Sequence, residues 1–131
     1  MIDVGIDAAE IWTGKLKLDL AETFAPEKGD DPGKYTKGLG LYESSFPDTY
    51  EDIVTMGANA SKRLMERNDL EPDDIGRIDV ATESSFDNSK PISTYIAGCL
   101  EQTFDGDFHH ANKGERKFAC LAGTQAIDDA Y

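Results

Sequence analysis

Two side chains in this sequence have the type and setting for bond-making chemistry. Cys120, in "KFACLAGTQAI", stands where an apolar segment gives way to small, helix-forming residues. A thiol there faces the unpaired amides and positive dipole end of the helix behind it, and both stabilise a thiolate. Amides around Cys120 could hold an oxyanion, and Gly123 lets a substrate approach the backbone. Arg116 and Lys117 lie just upstream and could add positive charge. On the residues alone, a small side chain filling a tight turn is an equal alternative. Glu83 is the second candidate. It closes "IDVATE" and opens the polar loop "SSFDNS", and a carboxylate beside an apolar sheet can act as general base or acid. Unaided, in so acidic a chain, it reads as an ordinary solvated loop acid.

Other reactive groups carry less. Cys99 falls on the apolar stripe of a helix and reads as a small core side chain. His109 and His110 precede Cys120 at a spacing that fits no standard zinc pattern, so no metal site is assigned. Neither cysteine has a CxxC companion, and two free thiols are expected. "DDPGKYTKGLG" offers Lys34 and Lys37 on a glycine-rich turn suited to an anionic ligand. It matches neither a Walker loop nor a dinucleotide fingerprint.

The elements that must position Cys120 and Glu83 can be read from the pattern. Residues 4–13 alternate well enough for a first strand. "LKLDLAETF" is a short helix, and 25–40 is a loop rich in Pro and Gly. Asp48 and Glu51 have the spacing of a capping box. After it, Ile53, Gly57, Ala60 and Leu64 make a helical stripe whose small residues predict a close helix crossing. Asn68 and Pro72 mark its end. "RIDVATES" is a strand. A helix follows from about Ser89, with Pro91 in its first turn and Ile92, Tyr95, Ile96, Cys99 and Leu100 on one face. "KFAC" then leads into the last helix. This β–α–β–α–β–α order predicts an α/β fold with a parallel or mixed sheet and covering helices. Strand ends at the carboxyl edge of such a sheet are where functional groups collect.

The chain has 131 residues, a one-domain length. Lys plus Arg total 13 against 26 Asp plus Glu, a net charge of -13. Such a surface repels nucleic acid and anionic membrane, and both are excluded as partners. The acid is scattered, which suits a surface bathed in high salt and points to a halophilic source, with an acidic mesophilic protein as the alternative. No apolar run reaches the length of a membrane span, and no signal peptide is recognisable, so a cytoplasmic location is expected.

Five segments, "VGIDAAEIW", "DPGKYTKGLG", "EDIVTMGANASKRLMERNDL", "IGRIDVATESSFDNSK" and "FACLAGTQA", together resemble the hydroxymethylglutaryl-CoA synthase family in order and approximate spacing. "GKYTKGLG", "IGRIDVATES" and "ACLAGT" are the most specific. The resemblance implies a thiolase-like fold, with residues 1–131 as the N-terminal part of such a domain, cut after the nucleophile helix. It implies acetyl-CoA and acetoacetyl-CoA as substrates, no cofactor, the mevalonate route to isoprenoids, and a homodimer when full length. By motif match Cys120 is the acyl-accepting cysteine and Glu83 the general acid/base, while Asp31 and Pro32 fall in a segment that contacts CoA substrate. Pro32 replaces an alanine common in the family, so a backbone contact there could survive but a donated N–H could not. "HHANKGERK" is more basic than the family pattern.

The implied mechanism is acetylation of Cys120, removal of a methyl proton by Glu83, and addition of the carbanion to the ketone of acetoacetyl-CoA. The family also uses a histidine far downstream, which His109 and His110 do not match. The chain is therefore expected to be an N-terminal fragment, inactive alone. Three other readings compete. A thiolase or initiating ketoacyl synthase would use the same cysteine. A non-catalytic thiolase-like partner subunit would take no acetyl group. A cysteine hydrolase lacks a well-placed histidine.

Overall fold

The computed structural model describes residues 4–131. Its regular elements are β1 (Leu16–Asp19), α1 (Ala25–Lys28), β2 (Glu43–Phe46), α2 (Ile53–Arg67), β3 (Arg77–Ala81), α3 (Ile92–Leu100), β4 (Asn112–Arg116) and α4 (Leu121–Ala130). They divide into two units. One joins the described residues up to Trp12 with Ile53–Tyr131, and the other is Thr13–Asp52.

The larger unit is built on a β–α–β crossover. β3 and β4 pair in parallel, from Arg77 opposite Asn112 to Ala81 opposite Arg116, and α3 connects them, as parallel neighbours require. Ile92, Ile96, Ala97 and Leu100 line the buried face of α3 and meet Val54 and Met65 of α2, with Phe108 and Ala111 closing the core. Ile78 and Val80 of β3 pack against the same cluster. Burial of a side chain the size of Phe108 contributes about 2–3 kcal/mol. The predicted close crossing is present, since a Cβ built on Gly57 would stand 2.6 Å from Ile96 Cδ1. The Ile96 side chain fills the space that a Cβ at Gly57 would take, so any larger residue there must displace it. β3 and β4 also press together at one point. A Cβ on Gly114 would lie 2.1 Å from the Asp79 carboxylate, which is paired with Arg77.

Helix ends follow local chemistry. After Arg67, Asn68 Nδ2 donates to Leu64 O at 2.7 Å. Asp69 takes φ 52°, and Leu70 N returns to Met65 O at 3.0 Å. The expected start of α2 is corrected. Glu51 Oε2 does accept Asp48 N at 2.9 Å, but the pair closes a turn and the helix begins at Ile53.

The N-terminal strand is also corrected. Residues 4–13 run without strand pairing among the described residues. Val4, Ile6 and Ile11 are exposed. Alternation suits a strand, but backbone amides need a neighbouring edge, and none is supplied among the described residues. Instead Glu10 pairs with Arg63 at 3.6 Å and with Arg67, while the Arg63 guanidinium lies 5.6 Å from the Trp12 ring centre.

In the smaller unit, "LKLD" is strand, where a helix was expected. β1 pairs antiparallel with β2, from Leu16 opposite Phe46 to Asp19 opposite Glu43, and Lys17 reaches Glu43 at 2.6 Å. The remainder of that expected helix forms a π-helical turn, Leu20–Phe24, capped by Asp19, and runs on into α1. The expected loop after it holds a second π-helical turn, Lys34–Gly38. The strands therefore sort into one parallel and one antiparallel pair, each in its own unit, with helices beside them.

Candidate active site

Because β3 and β4 run the same way, their carboxyl ends lie at one edge. The ladder continues one step past β3, with Thr82 N donating at 3.1 Å to the carbonyl of Arg116, the last residue of β4. Glu83 follows immediately. On the neighbouring strand the expected "KFAC" ending is corrected, since β4 stops at Arg116 and residues 117–120 make a turn. Ala119, with φ of 44°, keeps a strand from running through to Cys120.

This turn brings the two candidates into one neighbourhood. Ala119 N donates to Glu83 Oε1 at 2.5 Å, so the carboxylate sits against the residue preceding Cys120. Cys120 is exposed and occupies the N-cap of α4 with φ −68° and ψ −12°. The helix dipole there favours an anion. Not every amide expected to face substrate is open. Leu121 N is bonded to Phe118 O at 3.1 Å and Ala122 N to Ala119 O at 3.3 Å. Left-handed backbone at a non-glycine residue costs about 1–3 kcal/mol and concentrates at functional sites.

Arg116 does not serve the sulfur. Its Nε donates to Asp129 Oδ2 at 2.7 Å and its Nη1 to Glu115 O at 3.2 Å. Asp129 is nine residues along from Cys120, about 13 Å at the helical rise. The pair instead ties the far end of α4 to β4. Lys117 is exposed. Cys99 is half-buried against the core, as its stripe position predicted.

The loop after Glu83 is anchored by a residue that sequence reasoning passed over. Asp87 Oδ1 accepts Ser89 N at 2.7 Å and Lys90 N at 3.0 Å, and its Oδ2 accepts the Tyr95 hydroxyl at 2.6 Å. The Tyr95 hydroxyl, then the Ser89 and Lys90 amides, hold the Asp87 carboxyl below its ordinary range. The same bond, with some loss of hydration, raises Tyr95. The Lys90 ammonium lies 4.2 Å from the Tyr95 ring centre, a cation–π distance. The signal was available, since Asp-Asn-Ser before a helix is an Asx-turn composition. Glu115 was missed without any such signal. Its Oε2 accepts Ile92 N at 2.7 Å, so β4 caps α3 across 23 residues of sequence.

Asp31 and Pro32 lie in the smaller unit, both exposed. Asp31 Oδ1 accepts Gly33 N at 2.9 Å, an Asx turn, and Pro32 O accepts the Thr36 hydroxyl at 3.2 Å. Beside them Tyr35 and Lys34 bond the Asp30 carboxylate. The Tyr35 hydroxyl first, and Lys34 second, keep that carboxyl below its ordinary range. His109 and His110 are exposed in the turn before β4, and no group of three or more potential metal ligands occurs among the described residues. No described helix is long and apolar enough to cross a membrane.

Comparisons with known proteins converge. Residues 1–131 match the family model described as hydroxymethylglutaryl-coenzyme A synthase N terminal. The sequence is 79% identical to a hydroxymethylglutaryl-CoA synthase of Haloferax volcanii, over 100% of this chain and 29% of that protein. It is 38% identical to the cytoplasmic human enzyme of that name, over 98% of this chain and 24% of that protein. Among solved structures, MvaS in complex with 3-hydroxy-3-methylglutaryl coenzyme A superposes with a TM-score of 0.85 at 32% identity. That match covers 96% of this chain and 29% of MvaS. The chain thus spans less than a third of the length of these relatives.

Proposed function

As the chain belongs to the hydroxymethylglutaryl-CoA synthase family and shares the thiolase-like fold of its solved members, we propose that its protein condenses acetyl-CoA with acetoacetyl-CoA. The observation that carries this reading is the bond from Ala119 N to Glu83, which sets a carboxylate beside the turn that ends at an exposed thiol.

Cys120 Sγ attacks the acetyl carbonyl of acetyl-CoA. The new S–C bond forms as the bond to the CoA sulfur breaks, and CoA leaves as its thiol after taking a proton. The helix N-terminus stabilises the attacking thiolate. Glu83 then accepts a proton from the acetyl methyl, and the electron pair moves into an enolate. The enolate carbon bonds to the ketone carbon of acetoacetyl-CoA, whose oxygen takes up a proton. Water finally cleaves the thioester, freeing Cys120 and 3-hydroxy-3-methylglutaryl-CoA. The steps as written call on no redox cofactor. Asp31 and Pro32 contribute to binding CoA substrate in this reading.

Further parts of the reading rest on coarser support. We place the enzyme in the mevalonate route to isoprenoids, in the cytoplasm, as a homodimer when whole and without nucleic-acid or membrane partners. A net charge of -13 and the Haloferax relative support a halophilic source.

The experiment supplies acetyl-CoA and acetoacetyl-CoA to the full-length protein carrying this chain and separates the products. Formation of 3-hydroxy-3-methylglutaryl-CoA is expected. A thiolase would instead interconvert acetoacetyl-CoA and acetyl-CoA, and a partner subunit would transfer no acetyl group; either result defeats the proposal.

A further inference from the structure

We propose that the groove between residues 87–91 and residues 113–117 binds a diphosphate group. It has a volume of about 490 Å³, enough for a small ligand. Its charge runs against the rest of the chain. The sequence carries twice as many acids as bases, 26 against 13. The groove instead sets Lys90, Lys113, Arg116 and Lys117 against Asp87 and Glu115.

The two acids are engaged by other donors. Asp87 accepts the Ser89 and Lys90 amides and the Tyr95 hydroxyl, and Glu115 accepts the Ile92 amide. Among the described residues, no carboxylate forms an ion pair with Lys90, Lys113 or Lys117. Lys113 Nζ donates to the carbonyls of Phe108 and Ala111, so its charge rests on neutral partners. The Lys90 ammonium lies over the Tyr95 ring, and Lys117 is exposed. Cations gathered in one groove without a counter-charge repel one another, and a bound anion relieves that repulsion.

The kind of cation selects the kind of anion. Arg116 has the planar fork that would match a carboxylate, but it is committed to Asp129 and the Glu115 carbonyl. What remains is lysine, a point charge with three donors that suits phosphate oxygens. Lys90 stands on the loop side of the groove, and Lys113 and Lys117 on the β4 side. One anion that bridges them needs charge at both ends, which a diphosphate has. Two sources carry this group, the CoA part of a thioester and a free diphosphate, and the test separates them.

Inorganic diphosphate is titrated by calorimetry into the full-length protein carrying this chain, at constant potassium chloride. One diphosphate per chain is expected to bind. Lys90→Gln with Lys117→Gln should weaken it by about tenfold or more. Lys15→Gln with Lys28→Gln removes the same charge outside the groove and should change affinity by less than about twofold. A second measurement needs no variant. Diphosphate should slow labelling of Lys90 and Lys117 by an amine reagent, read by mass spectrometry, and leave Lys15 and Lys28 unaffected. Absence of binding overturns the proposal, as does equal weakening in the two double variants. Labelling that diphosphate leaves unchanged also overturns it, as does inorganic phosphate binding as tightly as diphosphate. Saturating CoA then identifies the source. Competition assigns the group to CoA and predicts a raised KM for acetyl-CoA in the Lys90 and Lys117 double variant. Joint binding assigns it to a free diphosphate, and either result sustains the site.

Discussion

Glu83 and Ala119 are 36 residues apart in sequence and joined by a hydrogen bond from the amide of one to the carboxylate of the other. The parallel pairing of β3 and β4 makes this possible, because it delivers both chain segments to the same edge. In the proposed reading, that carboxylate acts on the acetyl group that the neighbouring thiol carries. Glu83→Gln keeps an acceptor for the Ala119 amide but cannot take up a proton. It is expected to slow condensation by about 10²–10⁴-fold while Cys120 still accepts acetyl. Steady-state rates beside mass spectra of the acetylated protein check this. Equal loss of both steps would contradict it.

The crossing of α2 and α3 makes a stability prediction. Gly57→Val drives a branched side chain against Ile96 Cδ1 and is expected to destabilise the fold by about 1–3 kcal/mol. Gly98→Ala is the control, since a Cβ there meets nothing within 4 Å. Greater helix propensity should make it neutral or stabilising by about 0.5–1 kcal/mol. Urea unfolding of the two variants decides the matter.

The bond between Asp87 and Tyr95 predicts a pH dependence with a definite sign. Asp87 is held below its ordinary 3.8, so its contribution is present above that value and is lost as pH falls through the lower folded value. Tyr95 is raised above 10.0. Its contribution is present below that value and is lost as pH rises through the higher folded one. Melting temperatures of the parent and Tyr95→Phe should therefore differ by a constant amount across neutral pH. The gap should narrow below pH 3.8 and above pH 10.0. A gap unchanged at both extremes would count against the pairing.

A net charge of -13 predicts a salt response. Raising ionic strength from 0.1 to 1 M shortens the screening length from about 10 Å to about 3 Å, weakening self-repulsion. The melting temperature in potassium chloride should rise over that range. A flat or falling curve would argue against the halophilic reading.

What was legible in the sequence was mostly local. α2 and α3 followed from apolar spacing, and the close approach at Gly57 from small residues on one face. Cys120 and Glu83 were candidates by their place near a strand end and a helix start, with structural readings left open, and the family resemblance singled them out. Long-range geometry was hidden. Residues 4–13 alternate as a strand does, yet pairing depends on a neighbour that the pattern cannot supply. "LKLD" looked helical in isolation and became strand because β2 lies beside it. Ala119 carries no turn signature, so its left-handed backbone was invisible until the chain was folded. The capping of α3 by Glu115 likewise depends on β4 arriving next to Ile92.

The most direct test of the central claim is where acetyl is deposited. The full-length protein carrying this chain is incubated with acetyl-CoA alone, quenched in acid, digested and sequenced by mass spectrometry. Acetyl should be found as a thioester on Cys120, which is exposed at the start of α4, and not on half-buried Cys99. Acetyl on Cys99, or on neither thiol, would contradict the account.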